Sequence, residues 1–370
     1  MTTTSTGPLA GLTVIEFAGI GPTPYATMIL AELGADVIRV ERPGADRSFA
    51  TKPATDLLNR GKRSIVLDLK LPDQLETALD LVATADILVE GYRPGVAERI
   101  GIGPDACLDR NPRLIYGRMT GWGQDGPLAR QAGHDINYIA IAGALHAVGP
   151  ADGPPVIPLN LVGDMGGGSL YLVVGVLAAY RHAVETGQGQ VVDAAIVDGT
   201  AHLLAGIHGL LANGYWSDQR GANALDGGAA YYNVYETADG EYMSVGAIEN
   251  KFFRELMHGL DLDPDTPQHE NVDDLRAAIS AAFKRKTQAE WTAHFEGIDA
   301  CVTPVVGLVA AADHPHMAAR GSLVRRDGVV QSAPAPRFSR TPTRLAAPAP
   351  VPGSNTDEVL AELAQRRGQP

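Results

Sequence analysis

The chain has 370 residues, 45% hydrophobic and 20% charged, which allows a large core in one big domain or two ordinary ones. Its 30 basic and 43 acidic side chains leave a net charge of −13, which argues against general nucleic-acid binding; residues 1–120, with 13 basic and 15 acidic groups, carry little of that excess, so an anionic ligand is expected to meet the N-terminal third. Two cysteines exclude a disulfide framework and fit a reducing cytoplasm, MTTTSTGPLA has neither a basic nor an apolar leader region, and the apolar run 170–180 is too short to span a bilayer, so a cytoplasmic protein without membrane attachment is expected.

In chain order, LTVIEF (12–17) reads as a buried strand and TPYATMILAELG (23–34) as a helix closed by Gly34. DVIRV (36–40) and SIVLDL (64–69) read as strands, and LPDQLETALDLVA (71–83) as a helix with Pro72 near its start. DILVE (86–90) is a strand, PGVAERIG (94–101) a helix and RLIYGRMTG (113–121) a strand. Strands and helices alternating over short links predict βαβ units and a parallel sheet. Residues 165–187 read as a long buried helix, 190–196 as a strand and 198–214 as another helix. Composition shifts between 226 and 325: a hairpin at 231–248 turns at Ala238-Asp239-Gly240, and helices follow at 250–259, 272–284 and 287–295. The proline-rich stretch 332–353 is expected to run back, extended, over the first domain, before a final helix capped by Asn355 or Thr356. The expected organisation is a large α/β domain over 1–200, linker helices at 201–225, a small α+β domain at 226–325 and a return segment at 326–370.

The first strand-to-helix turn, AGIGPTP (18–24), has Gly19 and Gly21 but puts Pro24 where a dinucleotide fingerprint needs its third glycine. No P-loop and no HExxH pattern occur, and Cys107 and Cys301 lie far apart, so neither a nicotinamide cofactor nor a metal is expected. Basic residues instead gather at the carboxyl ends of three strands: Arg60, Lys62, Arg63 and Lys70; Arg39 and Arg42; Arg93 and Arg99. Ligands of open α/β sheets bind there, so these groups predict an anion-binding crevice.

Three further stretches carry chemistry. In GHDINY (133–138), Asp135 is expected to cap the helix that begins INYIA, with His134 beside N–H groups that favour a developing negative charge. In LNLVGDMGGGS (159–169), Asp164 is expected to cap and open a helix. Gly166, Gly167 and Gly168 are costly within a helix and are expected where something bulky approaches the backbone. In VGAIEN (245–250), Glu249 ends a strand at a helix start.

Together EFAGIGPTPYATMILAELGADVIRVERPG, NRGKRSIVLDLK, EGYRPGVAERIG, GRMTGWGQDGP, GHDINY and LNLVGDMGGGS resemble the family III CoA-transferase superfamily, and within it the branch of α-methylacyl-CoA racemases, the bacterial ones most. The resemblance spans about residues 8–345 with six motifs in order. It implies a Rossmann-like large domain without a nucleotide fingerprint, a smaller domain and an interlocked homodimer whose site lies between one chain's large domain and the partner's small domain. It implies that Arg42 holds a phosphate or the adenine end of CoA, that Leu67, Asp68, Leu69 and Lys70 line the adenine pocket, and that Gly91, Tyr92, Arg93 and Arg99 contact nucleotide and pyrophosphate. Gly133, His134, Asp135, Ile136, Asn137 and Tyr138 line the pantetheine and thioester end. His134 and Asp164 form the catalytic pair, supported by Asn160 and Glu249. The implied activity interconverts (2R)- and (2S)-2-methylacyl-CoA thioesters through an enolate; the Asp135 amide, at a helix start, is the candidate donor to its oxygen. Acyl-CoA is then the substrate, CoA is part of it, and no separate cofactor is needed. The acyl group is expected to meet Ile20, Tyr138, Leu161 and residues 205–225. The alternative in the same fold is a CoA-transferase with Asp164 as nucleophile; a non-catalytic acyl-CoA binder would need none of His134, Asp164 and Glu249.

Overall fold

The computed structural model describes residues 6–44 and 52–367; the first residues of the N-terminal stretch read for a leader, and the last three of the chain, lie outside it. The chain forms two compact units. The first comprises residues up to Ala142, Leu159–Leu203, and Ala312 onward; the second comprises Gly143–Pro158 and Leu204–Ala311. The second unit is thus not the 226–325 read from composition. It includes residues 201–225 from Leu204 on, takes in 143–158, and stops before the return segment. Arg220 accounts for the early loop, because its guanidinium donates to the carbonyls of Pro150 (3.0 Å) and His146 (2.9 Å). Contacts of that range leave no mark in local composition.

In the first unit, β1 (Thr13–Phe17), β2 (Asp36–Glu41), β3 (Arg63–Val66), β4 (Ile87–Glu90), β5 (Ile115–Thr120) and β6 (Gln190–Ala195) form one parallel sheet in the order β3-β2-β1-β4-β5-β6. Ile15 stands between Ile38 and Leu88 in register. Helices cover both faces, so β1 and β4 are buried end to end, their apolar runs broken only by Thr13, Glu16 and Glu90, which are buried with them. α1 (Pro22–Glu32), α2 (Pro72–Ala83) and α4 (Pro104–Arg110) each begin on a proline, whose missing N–H costs nothing in a first turn; α3 (Val96–Arg99) lies between the last two. The chain reverses its winding between β1 and β4, and there the loops 18–21 and 91–95 leave the sheet side by side. Their approach is tight: a Cβ at Gly91 would overlap the Thr23 hydroxyl.

α5 (Asp135–Ile141) belongs to this unit, whereas α6 (Ala144–Ala147) opens the second. A π-helical segment, Leu161–Leu170, runs directly into α7 (Tyr171–Thr186). Its Met165 N–H reaches back five residues to the Asn160 carbonyl at 3.2 Å. The joined helix is by length and composition apolar enough to cross a membrane, but Leu172, Val173, Val176, Ala179 and Ala183 pack into the core beside Ile115, Met119 and Ala194 of β5 and β6. α8 (Ile196–Leu203) follows β6, and α9 (Ala205–Ala212) is separate from it, so the single helix expected over 198–214 is broken at Leu204.

The second unit packs β7 (Tyr232–Glu236), β8 (Tyr242–Gly246) and β9 (Val302–Pro304) against α10 (Asn250–Gly259), α11 (Val272–Phe283) and α12 (Gln288–His294) around Phe253, Phe283 and Trp291. The hairpin turn closes through Thr237 N–H to the Glu241 carbonyl, 2.8 Å, with Gly240 at φ 79°. Back in the first unit, α13 (Pro315–Arg320), the pair β10 (Leu323–Arg326) and β11 (Val329–Ser332), and α14 (Thr356–Arg367) complete the chain. The return segment is tied to the sheet edge, Gly61 N–H donating to the Ala347 carbonyl (2.9 Å) and Asn355 N–H to that of Ser64 (2.9 Å).

Candidate active site

Two cavities open at the carboxyl end of the parallel sheet. The larger, about 550 Å³, is lined by Arg39, Arg42, Asn59, Leu67, Asp68, Leu69 and Lys70 among others. The smaller, about 280 Å³, is lined by Arg93, Trp122, Gln131, Gly133, His134, Tyr138 and Asp164. Both share Ile20, Gly21, Gly91 and Tyr92, the loops at the winding reversal, so they form one groove with a wide end and a narrow end.

Of the expected basic crevice, only part faces this groove. Arg42 and Lys70 are exposed at the wide end and Arg93 at the narrow end. Arg99 is exposed and lines neither cavity. Lys62 is fully buried and donates to Glu16 Oε2 (2.8 Å), the Pro24 carbonyl (3.0 Å) and Asn59 Oδ1 (3.0 Å). Arg39 lines the wide end too, but it pairs with Glu16 and Glu41 and donates to the Gly19 carbonyl, 3.2 Å. Arg60 is buried against Glu32. Arg63 pairs with Asp36 and Glu362. These four cations are thus engaged within the protein, and Lys62 and Arg39 hold the loop 18–24 from beneath. Burial alone would raise the Glu16 carboxyl, yet Arg39 and Lys62 together hold it below its ordinary value; burial pushes the Lys62 ammonium down to about 8, with Glu16 opposing the fall.

At the narrow end, His134 rather than Asp135 stands at the N-cap of α5, with extended backbone, and its N–H donates to Asn137 Oδ1 at 3.0 Å. The Tyr138 hydroxyl donates to the Gly133 carbonyl, and its ring meets Trp122 edge-on at 4.7 Å. Gly133, His134 and Tyr138 face the cavity; Ile136 and Asn137 do not line it. Asp135, expected as the cap, is the first helical residue. Its carboxylate turns away from the cavity and accepts the Asp164 N–H at 2.7 Å.

Asp164 is also not a cap: it lies four residues into the π-helical segment, whose N-cap position is Asn160. Its Oδ2 accepts from Asn160 Nδ2 (3.1 Å). Burial raises the Asp164 carboxyl above the usual carboxylate range and the neighbouring Asp135 charge adds to this, against the Asn160 hydrogen bond and His134. The glycine run behind it serves α8. A Cβ at Gly167 would stand 2.6 Å from the Thr200 N, and one at Gly168 3.0 Å from Ile196 Cγ1. The bulky neighbour read from these glycines is therefore another helix.

Ile20 and Tyr138 line the narrow end, while Leu161 is exposed and lines neither cavity. Residues 205–225 belong to the second unit, as does Glu249, an exposed N-cap of α10 whose side chain makes no capping bond. Sequence reasoning missed Trp122, Gln131 and the support of loop 18–24 by Glu16; the neighbouring glycines were the signal for close packing, but not for its partner.

Residues 9–356 match the CoA-transferase family III. The chain is 41% identical to the α-methylacyl-CoA racemases of Homo sapiens and Mus musculus, over 97% and 96% of its length and 94% and 93% of theirs. It is 32% identical to the succinyl-CoA–L-malate CoA-transferase β subunit of Chloroflexus aurantiacus, over 98% of this chain and 95% of that one. The crystal structure of a CAIB/BAIF family protein from Brucella suis superposes with a TM-score of 0.83 at 28% identity, covering 97% of this chain and all of that one. With a parallel six-stranded sheet, a two-ended groove at its winding reversal and a family match over nearly its whole length, the chain belongs to CoA-transferase family III.

Proposed function

We propose that the protein is an α-methylacyl-CoA racemase that interconverts (2R)- and (2S)-2-methylacyl-CoA by 1,1-proton transfer. The observation that carries the reading is that His134 and Asp164, groups of unlike chemistry on different elements, line the same cavity of about 280 Å³, which continues into a larger one with Arg42 and Lys70 at its wall. The relatives named racemases support the same reading. A thioester acidifies its α-carbon because the enolate spreads charge onto oxygen. Inversion takes the proton from one face and returns it to the other, so a base and an acid must bracket one carbon. A carboxyl raised by burial, as Asp164 is, both holds a proton more firmly and accepts one more readily than an exposed aspartate. Asn160 steadies it, and the Asp135 N–H is the donor we assign to the enolate oxygen.

The wide end takes the nucleotide of CoA, with Arg42 and Lys70 toward its phosphates and Leu67–Leu69 against adenine. CoA enters as part of the substrate, and the proton passes by way of the His134 and Asp164 side chains. We further propose a homodimer in which Glu249 of the partner subunit joins His134, acting in the cytoplasm, where one buried and one exposed thiol stay reduced.

Incubation with (2R)-2-methylacyl-CoA in deuterated water is the test. Racemisation with deuterium at the α-carbon is expected. Acyl transfer to a second carboxylic acid without exchange would instead make Asp164 the nucleophile of a CoA-transferase.

A further inference from the structure

Resting on the racemase reading, we infer that the Asp135 carboxylate is a positioning residue for proton transfer: it accepts the main-chain N–H of Asp164 itself and so sets where the catalytic carboxyl group stands in the cavity. The Asp164 N–H to Asp135 Oδ1 distance is 2.7 Å. Asp135 is only 7% exposed, and its Oδ2 has no protein partner among the described residues. A Cβ at Gly163 would overlap Oδ1, so the residue before Asp164 lacks a side chain where this carboxylate needs room.

The first N–H groups of a helix have no acceptor within it, and a π-helical start shifts the pattern further. Asp164 falls in that stretch. Without Asp135 this half-buried N–H would lack a strong acceptor, and the segment that carries the catalytic carboxyl could settle differently. Keeping a half-satisfied carboxylate buried is costly. Here that cost is met at the main chain of the residue that handles the proton.

The charges acting on Asp164 are those of Asp135 and His134; Tyr138 is acted on by both carboxylates and by Arg93. Asp135→Asn keeps an acceptor for the Asp164 N–H and removes the charge. Asp135→Ala removes both. A displacement of about 1 Å costs on the order of 100-fold. Asp135→Ala is therefore expected to lose about 100-fold in kcat with KM changed only a few-fold, while Asp135→Asn restores kcat to within about tenfold of the parent. The Asp135 charge raises Asp164, so Asp135→Asn should also move the acid limb of kcat/KM to lower pH, in the direction in which Asp164 is the base. A purely structural role would lower the amount of folded protein, read by thermal melting, and leave that limb in place. Unchanged kcat in Asp135→Ala, equal losses in both variants, or an unmoved limb in Asp135→Asn overturns the inference. Parent enzyme that neither inverts nor exchanges its substrate overturns the racemase reading instead.

Discussion

Arg42 and His134 line the two ends of one groove and should fail in different ways when replaced. A charge-assisted hydrogen bond to phosphate is made equally in ground and transition states, and is worth about 1.5–3 kcal/mol. Arg42→Ala should therefore raise KM for the acyl-CoA by about 10- to 100-fold and leave kcat nearly unchanged. His134→Ala should lower kcat by about 10²–10⁴ with KM near that of the parent, because proton transfer happens only at the transition state. Steady-state kinetics on both variants check the split, and a fall in kcat for Arg42→Ala would argue against its assignment to the phosphates. The sequence pointed to Arg42 and His134 alike, since strand ends and motifs are local. It also pointed to Arg39 and Lys62 as ligand cations. What it could not show was Glu16, brought from β1 between them, which pairs with both: Lys62 lies wholly in the protein's interior, and Arg39 lines the wide end with its charge already engaged.

Strands and helices of both units follow the sequence reading closely where a local run decides them, the mostly apolar β1 and the amphipathic α2, α10 and α11. The reading goes astray where an element is set by its neighbour across the fold. Nothing local tells a π-helical start at Leu161 from a capped helix at Asp164, and the three glycines signal close approach without naming what approaches. β9, three residues long, is recognisable only from its pairing with β8. The contact between α8 and the π-helical segment gives a sharp test. A Cβ at Gly199 would overlap the Gly167 carbonyl, backbone against backbone, so relief requires the two helices to separate and carry Asp164 with them. At Gly206 in α9, nothing lies within 4 Å of the added carbon. Gly199→Ala should lower Tm and activity together, by well over the roughly 1 kcal/mol that alanine gains over glycine in a helix. Gly206→Ala should leave Tm equal or higher. Calorimetry on the pair decides, and a stable, active Gly199→Ala would mean that the close packing of α8 is not what holds Asp164.

Both units present apolar surface that a lone soluble chain would be expected to cover. None of α9 is buried although most of its residues are apolar, and in the first unit Val174 is 66% exposed with Leu170 and Leu203 also open. Such faces fit the proposed homodimer, and a twofold dimer makes a stronger prediction than its own mass. If the partner's Glu249 serves His134, each dimer has two sites, each built from two chains. Neither His134→Ala nor Glu249→Ala homodimers then contain an intact site. A heterodimer of the two variants has one site with both defects and one with none. With random pairing of equal amounts, half the dimers are mixed, so co-expression should restore about a quarter of parental activity. Co-expression matters because interlocked chains would not exchange after folding. The check is to purify the mixed dimer through two different tags and assay deuterium exchange per dimer. About half of parental activity is expected from that pure species, since one of its two sites is whole. Activity no higher than that of either homodimer would place Glu249 and His134 in service of the same chain, or separate them altogether, and the shared site would have to be given up while the proton-transfer pair within the first unit stands.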